Sequence, residues 1–248
     1  MATSLENVLQ HPAIWRGGDC ARVVLPSVPT GFAELDVLLP GGGWPAGALT
    51  EIHVERTGVG ELQLIMPAAA RLTWTGRWLA LIAPPYVPYA PAFAAHGVTL
   101  SRLMLVRTTT TEDSLWACEQ ALRSQACGAA LAWLDRVHER ALRRLQLAAE
   151  SGGATMLLFR PARAAPASHA ALRLHVGKAQ SRTLVRVLKR RGGGLPAPIA
   201  LDLHGNGTGG TGPFLKIRGA FPFPPHPPSH DEPSSRGTSS GERASVTQ

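Results

Sequence analysis

The stretch that decides the fold runs from Pro29 to Ala70 and reads PTGFAELDVLLPGGGWPAGALTEIHVERTGVGELQLIMPAAA. It contains an apolar segment over Ala48–Val54, a glycine-containing loop, and then Glu61–Trp74 with apolar residues at helical spacing. Apolar residues that recur every three or four positions are typical of one face of a helix. The stretch therefore predicts a strand, a tight loop and a helix, in that order.

The loop keeps the shape of a phosphate cradle but lacks its chemistry. A nucleotide P-loop reads G-x-x-x-x-G-K-[ST], and the matching window, residues 55–62, reads ERTGVGEL. The lysine position holds Glu61 and the Ser/Thr position holds Leu62. ATP hydrolysis needs that lysine against the phosphates and that hydroxyl on magnesium. We therefore predict a protein that is not an enzyme and has no cofactor. The residues of this degenerate nucleotide loop are Glu55, Gly58, Gly60, Glu61 and Leu62.

The rest of the chain alternates strand-like and helix-like segments as far as Arg160 and then changes pattern. Strands that alternate with helices predict a mainly parallel sheet covered on both faces. We expect buried strands at 78–83 and 103–106 and further strands at 129–134 and 155–159. We also expect a half-exposed strand at 172–176, an alternating strand at 183–188 and a last short strand at 198–203. The last three have no helices between them and should form an antiparallel edge. The fold class is therefore α/β.

Three regions are expected along the chain. Residues 1–28 form an N-terminal arm, residues 29–204 form the core domain, and residues 205–248 form a tail rich in Pro, Gly and Ser. A tail of this composition is expected to be disordered, because it has too few apolar side chains to build a core.

Composition narrows the classes of function. The net charge of +8 favours acidic partners, nucleic acid among them. Three scattered cysteines predict neither a disulfide framework nor a metal site. No apolar run reaches about 18 residues and no secretory signal is visible, so we expect a cytoplasmic protein.

Several strings, in the same order along the chain, resemble the RecA ATPase core. They are TGFAELDVLLPGGGWPAGALTEI, YAPAFAAHGVTLSRLMLV, GAALAWLD, ALRLHV and RTLVRVLKRRGGGLPAPIALDL. The resemblance covers Pro29 to Leu203 and implies a RecA-like core. Four strings, WRGGD, GGGWPAGALTEI, GVGEL and LKRRGG, resemble the ImuA family of bacterial translesion DNA synthesis cassettes, whose members are also labelled SulA-like.

The resemblance gives further positions an expected role. Pro85 stands where RecA has its catalytic glutamate, and proline cannot act as a base. Asp135 ends a Walker B-like strand, although it could instead cap the following helix. Arg160 stands where RecA-like ATPases have a glutamine that couples nucleotide to the DNA-binding loop. Arg160 and Arg163 are therefore candidates for contact with a phosphate backbone, with a solvated edge as the equal alternative.

The sharpest basic cluster is Lys189-Arg190-Arg191, with Arg182 and Arg186 nearby in the sequence. In the RecA filament, basic residues at the positions of Lys189 and Arg191 reach the neighbour's nucleotide. Here the cluster could contact DNA or the acidic surface of a partner. A solvated hairpin tip is the alternative.

The six tryptophans are expected to lie mostly in the core. Trp15 and Trp44 fall in loop-like stretches, where they could instead anchor an interface. The full set is Trp15, Trp44, Trp74, Trp78, Trp116 and Trp133.

The resemblance implies a non-catalytic accessory protein of SOS-induced, error-prone translesion DNA synthesis, located at the nucleoid on DNA damage. The implied partners are an ImuB-like Y-family protein and an error-prone replicative-type polymerase subunit, with RecA and weak DNA contact as further candidates and no membrane partner. Two alternatives remain open. One is an active, DNA-dependent ATPase or recombinase of the RecA type, and the other is a SulA-like inhibitor of cell division.

Overall fold

The stretch that decides the fold forms a strand, a loop and a helix at the centre of the molecule. The computed structural model describes residues 26–163, 168–192 and 194–203. Leu49–Val54 is a strand buried at every position, and Glu61–Trp74 is a helix whose bounds agree with the prediction. Between them Gly60 has a φ of 102°, which a residue with a side chain rarely adopts.

The elements alternate as predicted as far as residue 161. The strands are β1 (Ser27–Val28), β2 (Trp44–Pro45), β3 (Leu49–Val54), β4 (Trp78–Ile82), β5 (Leu103–Val106), β6 (Cys127–Trp133), β7 (Thr155–Pro161), β8 (Leu172–Ala179), β9 (Arg182–Lys189) and β10 (Ile199–Leu201). The helices are α1 (Ala33–Asp36), α2 (Glu61–Trp74), α3 (Ala90–Ala95), α4 (Thr111–Arg123) and α5 (Glu139–Gly152), with a 3₁₀ turn at Leu100–Arg102.

Eight strands pair into one sheet in the order β10-β9-β8-β3-β7-β6-β4-β5. The six strands from β8 to β5 run parallel to one another. Strand β9 is antiparallel to β8, and β10 is antiparallel to β9. The predicted fold class is confirmed as an α/β fold with a mostly parallel sheet and an antiparallel edge, which is consistent with a RecA-like core. The short strands β1 and β2 form a separate pair.

Helices cover both faces of the sheet. Apolar residues of α2 and α3 pack on one face, together with those of α1. Apolar residues of α4 and α5 pack on the other. Helix α4 begins as predicted, because the side chain of Thr110 accepts a hydrogen bond from the backbone N–H of Asp113. None of the helices among the described residues is both long and apolar enough to cross a membrane.

The structure corrects two of the expected strands. Strand β5 was expected to be buried, but it is the last strand of the sheet, and Met104 and Leu105 are exposed on it. Strand β8 was expected to be half-exposed, but Arg173 is buried there. Neither difference is visible in a local pattern, because the order of strands decides which of them has neighbours on both sides.

The tryptophans divide into buried and exposed residues. Trp44 is 1% exposed and belongs to the core, and Trp133 stacks on Phe159 with ring centroids 4.8 Å apart. The expectation of a core position is wrong for Trp74 and Trp116, which are 85% and 64% exposed. Residues 1–25 of the predicted arm and the predicted tail lie outside the described residues, as does Trp15.

Candidate functional site

The loop between β3 and α2 is pressed against strand β9. The hydroxyl of Thr183 donates a hydrogen bond to the carbonyl of Val59 over 3.1 Å. A Cβ atom added to Gly60 would lie 2.8 Å from Thr183 Oγ1 and 2.8 Å from Leu203 Cδ1. The positive φ therefore favours glycine at this position, and a larger residue would also have to displace the side chain of Thr183 or Leu203. Gly58 also has a positive φ, of 87°, but its surroundings are open.

Glu61 turns back into the loop and is 3% exposed. The backbone N–H of Gly58 lies 2.9 Å from its Oε1 atom and 3.1 Å from its Oε2 atom and donates to both. Glu61 is the first residue of α2, where the helix dipole favours negative charge. The chain's own carboxylate thus occupies an anion-favouring position at the helix start. Leu62 packs against the apolar core instead of facing the loop.

Glu55 lies on the outer side of the loop. Its side chain is about half exposed, and its Oε1 atom lies 3.8 Å from His175 Nε2. The same carboxylate covers Gly177 on β8, where an added Cβ atom would lie 2.7 Å from Glu55 Oε1. Glu55 therefore contacts β8 from the loop.

A buried ionic cluster lies beside the loop, on the face of the sheet that α4 and α5 cover elsewhere. Glu51 is fully buried on β3. Its Oε1 atom accepts a hydrogen bond from Arg160 Nη1 over 2.9 Å, and its Oε2 atom accepts one from Ser168 Oγ over 2.9 Å. Arg173 Nε lies 2.9 Å from Glu51 Oε2 in an ionic contact that lacks hydrogen-bond alignment. Two buried guanidinium groups thus share one carboxylate.

His53 completes the cluster. It is fully buried, and its Nε2 atom lies 3.2 Å from Arg173 Nη2 and 3.4 Å from Glu51 Oε2. Burial alone would raise the pKa of Glu51, but the contacts with His53, Ser168 and Arg160 outweigh burial and hold the pKa at about 2. Glu51 is therefore ionised at neutral pH.

Arg160 does not have either of the two roles expected of it. It is 3% exposed, so it neither contacts a phosphate backbone nor forms a solvated edge. The reason is the register of β7, which continues to Pro161 and places Arg160 opposite His53 on β3. In this position the guanidinium group balances the charge of Glu51.

Asp135 and Arg163 lie together at the surface. Arg163 Nη2 is 3.6 Å from Asp135 Oδ2, and both side chains are more than half exposed. The expectation that Asp135 caps the following helix is wrong, because α5 begins at Glu139 and His138 takes the cap position. Pro85 lies in the exposed bend that follows β4.

The basic residues of β9 fall into two groups at opposite ends of the strand. Arg182 begins β9 beside the loop, and Lys189 ends it. They are seven positions apart, which is roughly 23 Å along a strand. The tip of the β8–β9 hairpin lies at Gln180 and Ser181, so Arg182 is not close in space to Lys189-Arg190-Arg191. That cluster lies where β9 leads into its connection to the antiparallel strand β10, and Lys189 and Arg191 are exposed there.

In the group at the end of β9, two of the three basic residues of Lys189-Arg190-Arg191 donate hydrogen bonds to backbone carbonyls. Lys189 Nζ donates to the carbonyl of Ser168 over 2.7 Å. Arg190 donates from Nη1 to the carbonyl of Leu38 over 2.6 Å and from Nε to the carbonyl of Gly194 over 3.1 Å. Arg191 is exposed and lines a small groove together with Pro26, Pro45 and Glu150, among others. Arg186, in the middle of β9, is exposed.

Sequence reasoning missed the roles of Glu51, His53 and Arg173. Each is a polar residue inside a segment recognised as a strand, TEIHV in β3 and LRLHV in β8. Polar residues at alternate positions of two adjacent buried strands are a usable indication of a buried network, because a lone buried charge is costly.

A metal site and a reactive cysteine have requirements that the described residues do not meet. No group of three His, Cys, Asp or Glu side chains there is arranged to hold a metal ion. Burial raises the pKa of Cys118 to about 12 and also raises that of Cys127. Both thiols therefore stay protonated at neutral pH and are poor nucleophiles.

The chain is similar to two groups of known proteins. RecA of Crocosphaera subtropica is 32% identical over 114 residues, which are 46% of this chain and 32% of that protein. RecA of Caldanaerobacter subterraneus is 34% identical over 127 residues, which are 50% of this chain and 36% of that protein. The chain thus spans about a third of the length of these RecA proteins. No family model matches the chain.

The second group is SulA, and the match covers a larger share of the SulA protein than of the RecA proteins. The cell division inhibitor SulA of Edwardsiella piscicida is 33% identical over 119 residues, which are 45% of this chain and 71% of that protein. Together with the α/β core described above, this coverage means that the chain belongs to the SulA-like family, with distant homology to RecA.

Proposed function

We propose that the protein is a non-catalytic, RecA-like accessory factor of error-prone translesion DNA synthesis in the SOS response. One observation carries the non-catalytic part of this proposal. The carboxylate of Glu61 is bound to the N–H of Gly58 at the position where a P-loop lysine would meet phosphate. A nucleotide would bring its phosphates against this buried negative charge, and like charges about 4 Å apart repel by several kcal/mol near a protein surface.

The translesion role is supported by the resemblance of WRGGD, GGGWPAGALTEI, GVGEL and LKRRGG to the ImuA family. On this proposal the chain binds an ImuB-like Y-family protein and an error-prone replicative-type polymerase subunit. RecA is a further candidate partner, and contact with DNA is weak. The RecA-like core then serves as a scaffold for protein–protein binding, since its loop no longer serves nucleotide chemistry.

Genetic deletion tests the role in mutagenesis. We expect deletion of the gene to lower the UV-induced mutation frequency by about tenfold or more, and the wild-type gene supplied in trans to restore it. A variant with Glu61→Gln should restore it equally, because no nucleotide step depends on Glu61. Unchanged induced mutagenesis in the deletion strain would rule out the translesion role.

Purification of the full chain from damaged cells tests the partners. Both polymerase components should be recovered with the wild-type chain after damage and should be absent from a mock purification. Recovery of neither component from cells that express both would count against the adaptor role, whatever the loop does.

A second candidate is inhibition of cell division, and one observation favours it. The SulA of Edwardsiella piscicida is matched over 71% of its length, a much larger share than either RecA. If this is the function, overexpression should produce filamentous cells, while deletion should leave UV-induced mutagenesis intact. The translesion proposal predicts the opposite pair of results, so the two assays together separate the candidates.

A further inference from the structure

Helices α4 and α5 lie side by side and turn an unusual set of side chains outward. Each helix connects two parallel strands of the sheet, so the two helices run in the same direction. Arg144 Nη2 on α5 lies 2.7 Å from Glu119 Oε1 on α4, which fixes their relative level. Trp116 stands one turn before Glu119, and Arg140 stands one turn before Arg144. Trp116 and Arg140 are therefore at the same level across the two helices.

The outward side chains combine large apolar area with positive charge. Trp116 is 64% exposed in the middle of α4, and Leu147 is 55% exposed on α5. Arg140 and Arg143 are exposed, and within the described ranges neither has an ion-pair partner. An exposed large apolar side chain indicates a binding surface more strongly than an exposed charge does, because exposing apolar area to water is unfavourable. Trp and Arg together are the residues most enriched at protein-binding hot spots. The α4–α5 face is defined as Trp116, Gln120, Arg140, Arg143, Arg144 and Leu147.

We propose that the α4–α5 face binds an acidic segment of a partner protein. Carboxylates of that segment would lie against Arg140 and Arg143, and an apolar side chain of the segment would cover Trp116. The inference rests on the proposed binding role of the protein and assigns that role a surface.

The charges on the two helices favour a protein segment over a nucleic acid. Glu112 and Asp113 lie in the first turn of α4, one turn from Trp116. A nucleic acid carries negative charge all along its backbone, so a strand crossing Trp116 would meet these carboxylates as well as the arginines. The exposed Glu139 lies in the first turn of α5 and adds a third carboxylate. A protein segment can place its own carboxylates beside Arg140 and Arg143 and away from these three acidic side chains, which makes it the better complement to this face.

A photocrosslinking amino acid tests the position of the surface. Benzoylphenylalanine is placed at Trp116 in the full chain, in cells that have been exposed to UV damage. The same amino acid at Trp74, which is 85% exposed on α2 on the other face of the sheet, serves as the control. We expect position 116 to give a protein crosslink that is absent at position 74. Mass spectrometry should place the attachment within about one helical turn of two or more Asp or Glu residues of the partner.

Charge reversal tests the chemistry of the surface. The double variant Arg140→Glu/Arg143→Glu should reduce the yield of the crosslink at position 116 by about tenfold. The control variant Arg71→Glu, which changes an exposed arginine of α2 on the other face of the sheet, should leave the yield unchanged. Thermal unfolding of each variant checks the fold, and exposed substitutions of this kind should change stability little. For a variant that does unfold, the single substitution Arg143→Glu replaces it.

The outcomes separate this inference from the proposed function. The inference is overturned by equal crosslinking at positions 116 and 74, by crosslinks to nucleic acid or to segments without acidic residues, or by a yield that charge reversal leaves unchanged. It stands if the crosslinked acidic protein is not a polymerase component, and the translesion role is then decided separately by the deletion strain and by the purification from damaged cells. If polymerase components co-purify equally with the wild-type chain and with the double variant, the translesion role survives and the α4–α5 face is not their binding surface.

Discussion

At the scale of single residues, two buried glutamates determine what the site can do. Glu61 binds the N–H of Gly58 and places a negative charge at the start of α2. Glu51 holds Arg160, Arg173 and Ser168 together beside the loop. The carboxylate of Glu61 thus takes the anion-favouring position of the loop. The contacts of Glu51 leave Arg160 and Arg173 buried in ion pairs, so these two arginines are not available to a ligand.

Replacing Glu61 should show that its charge stabilises the fold. We expect Glu61→Gln to lower the free energy of unfolding by about 1 kcal/mol, because a charge-assisted hydrogen bond at a helix N-terminus becomes a neutral one. Urea unfolding measures the change. Glu112→Gln is the matched control, since Glu112 lies in the first turn of α4 and is exposed, and it should cost less than about 0.5 kcal/mol. Equal effects of the two substitutions would contradict a special role for the Glu61 carboxylate.

The Glu51 cluster should make stability depend on pH in the acid range. The pKa of Glu51 is lowered from its ordinary value of 4.5 to about 2 in the folded protein. The folded chain therefore favours the ionised form, so the stabilisation is complete above pH about 4.5 and is lost as the pH falls toward 2. Its size is on the order of 3 kcal/mol.

Urea unfolding at a series of pH values measures this dependence, with Glu51→Gln as the variant that lacks the titrating group. That substitution should itself cost about 3–5 kcal/mol, because two arginines lose their buried partner. Ser168→Ala, which removes one hydrogen bond to Glu51, is the milder variant. It should make the free energy of unfolding fall less steeply as the pH is lowered from about 4.5 toward 2. A wild-type profile with the same slope as that of Ser168→Ala would show that the cluster does not control the titration.

At the scale of elements, the close approach of α4 and α5 positions the proposed binding face. Gly152, at the end of α5, lies against the Leu122 carbonyl oxygen of α4, and an added Cβ atom would overlap that oxygen. We expect Gly152→Ala to push the helices apart and to lower the free energy of unfolding by about 2 kcal/mol. The neighbouring exposed Ser151→Ala should change it by less than about 0.5 kcal/mol. Urea unfolding compares the two, and a neutral Gly152→Ala would mean that this contact is looser than described.

Much of the element structure could be predicted because its causes are local. Helix α2 was predicted to the residue since a glycine loop precedes an amphipathic run, and α4 since Thr110 and Asp113 provide its cap. The exposure of β5 could not be predicted, because the strand order of the sheet decides which strand lies at an edge.

The candidate site was predictable only in part, for the same physical reason. The absence of a lysine from the loop is visible in the sequence, but the hydrogen bond of Glu61 to Gly58 depends on how the side chain turns. The burial of Arg160 depends on the register between β7 and β3, which brings it beside His53 and Glu51. Alternating polar residues in the buried strands indicate a buried network, but they do not show which residues pair across strands that are far apart in the chain.

At the scale of the whole molecule, we propose that a RecA-like fold serves protein binding. The sheet order and the strand–loop–helix unit of β3 and α2 are in place. The loop between them binds a carboxylate of its own chain, and α4 and α5 present an apolar and basic face. The two candidate functions differ in the partner, and on our proposal both use a core that works without nucleotide.

Nucleotide binding by the purified full-length protein is the measurement that tests this claim most directly. A ligand at a hundred times its Kd stabilises a protein by about 2.7 kcal/mol, which would raise the Tm of a domain of this size by roughly 5–10 °C. We predict no saturable rise in Tm with Mg-ATP, and no ATP hydrolysis above background with or without single-stranded DNA, under conditions in which RecA shows both. A saturable rise in Tm, or hydrolysis stimulated by DNA, would contradict the account.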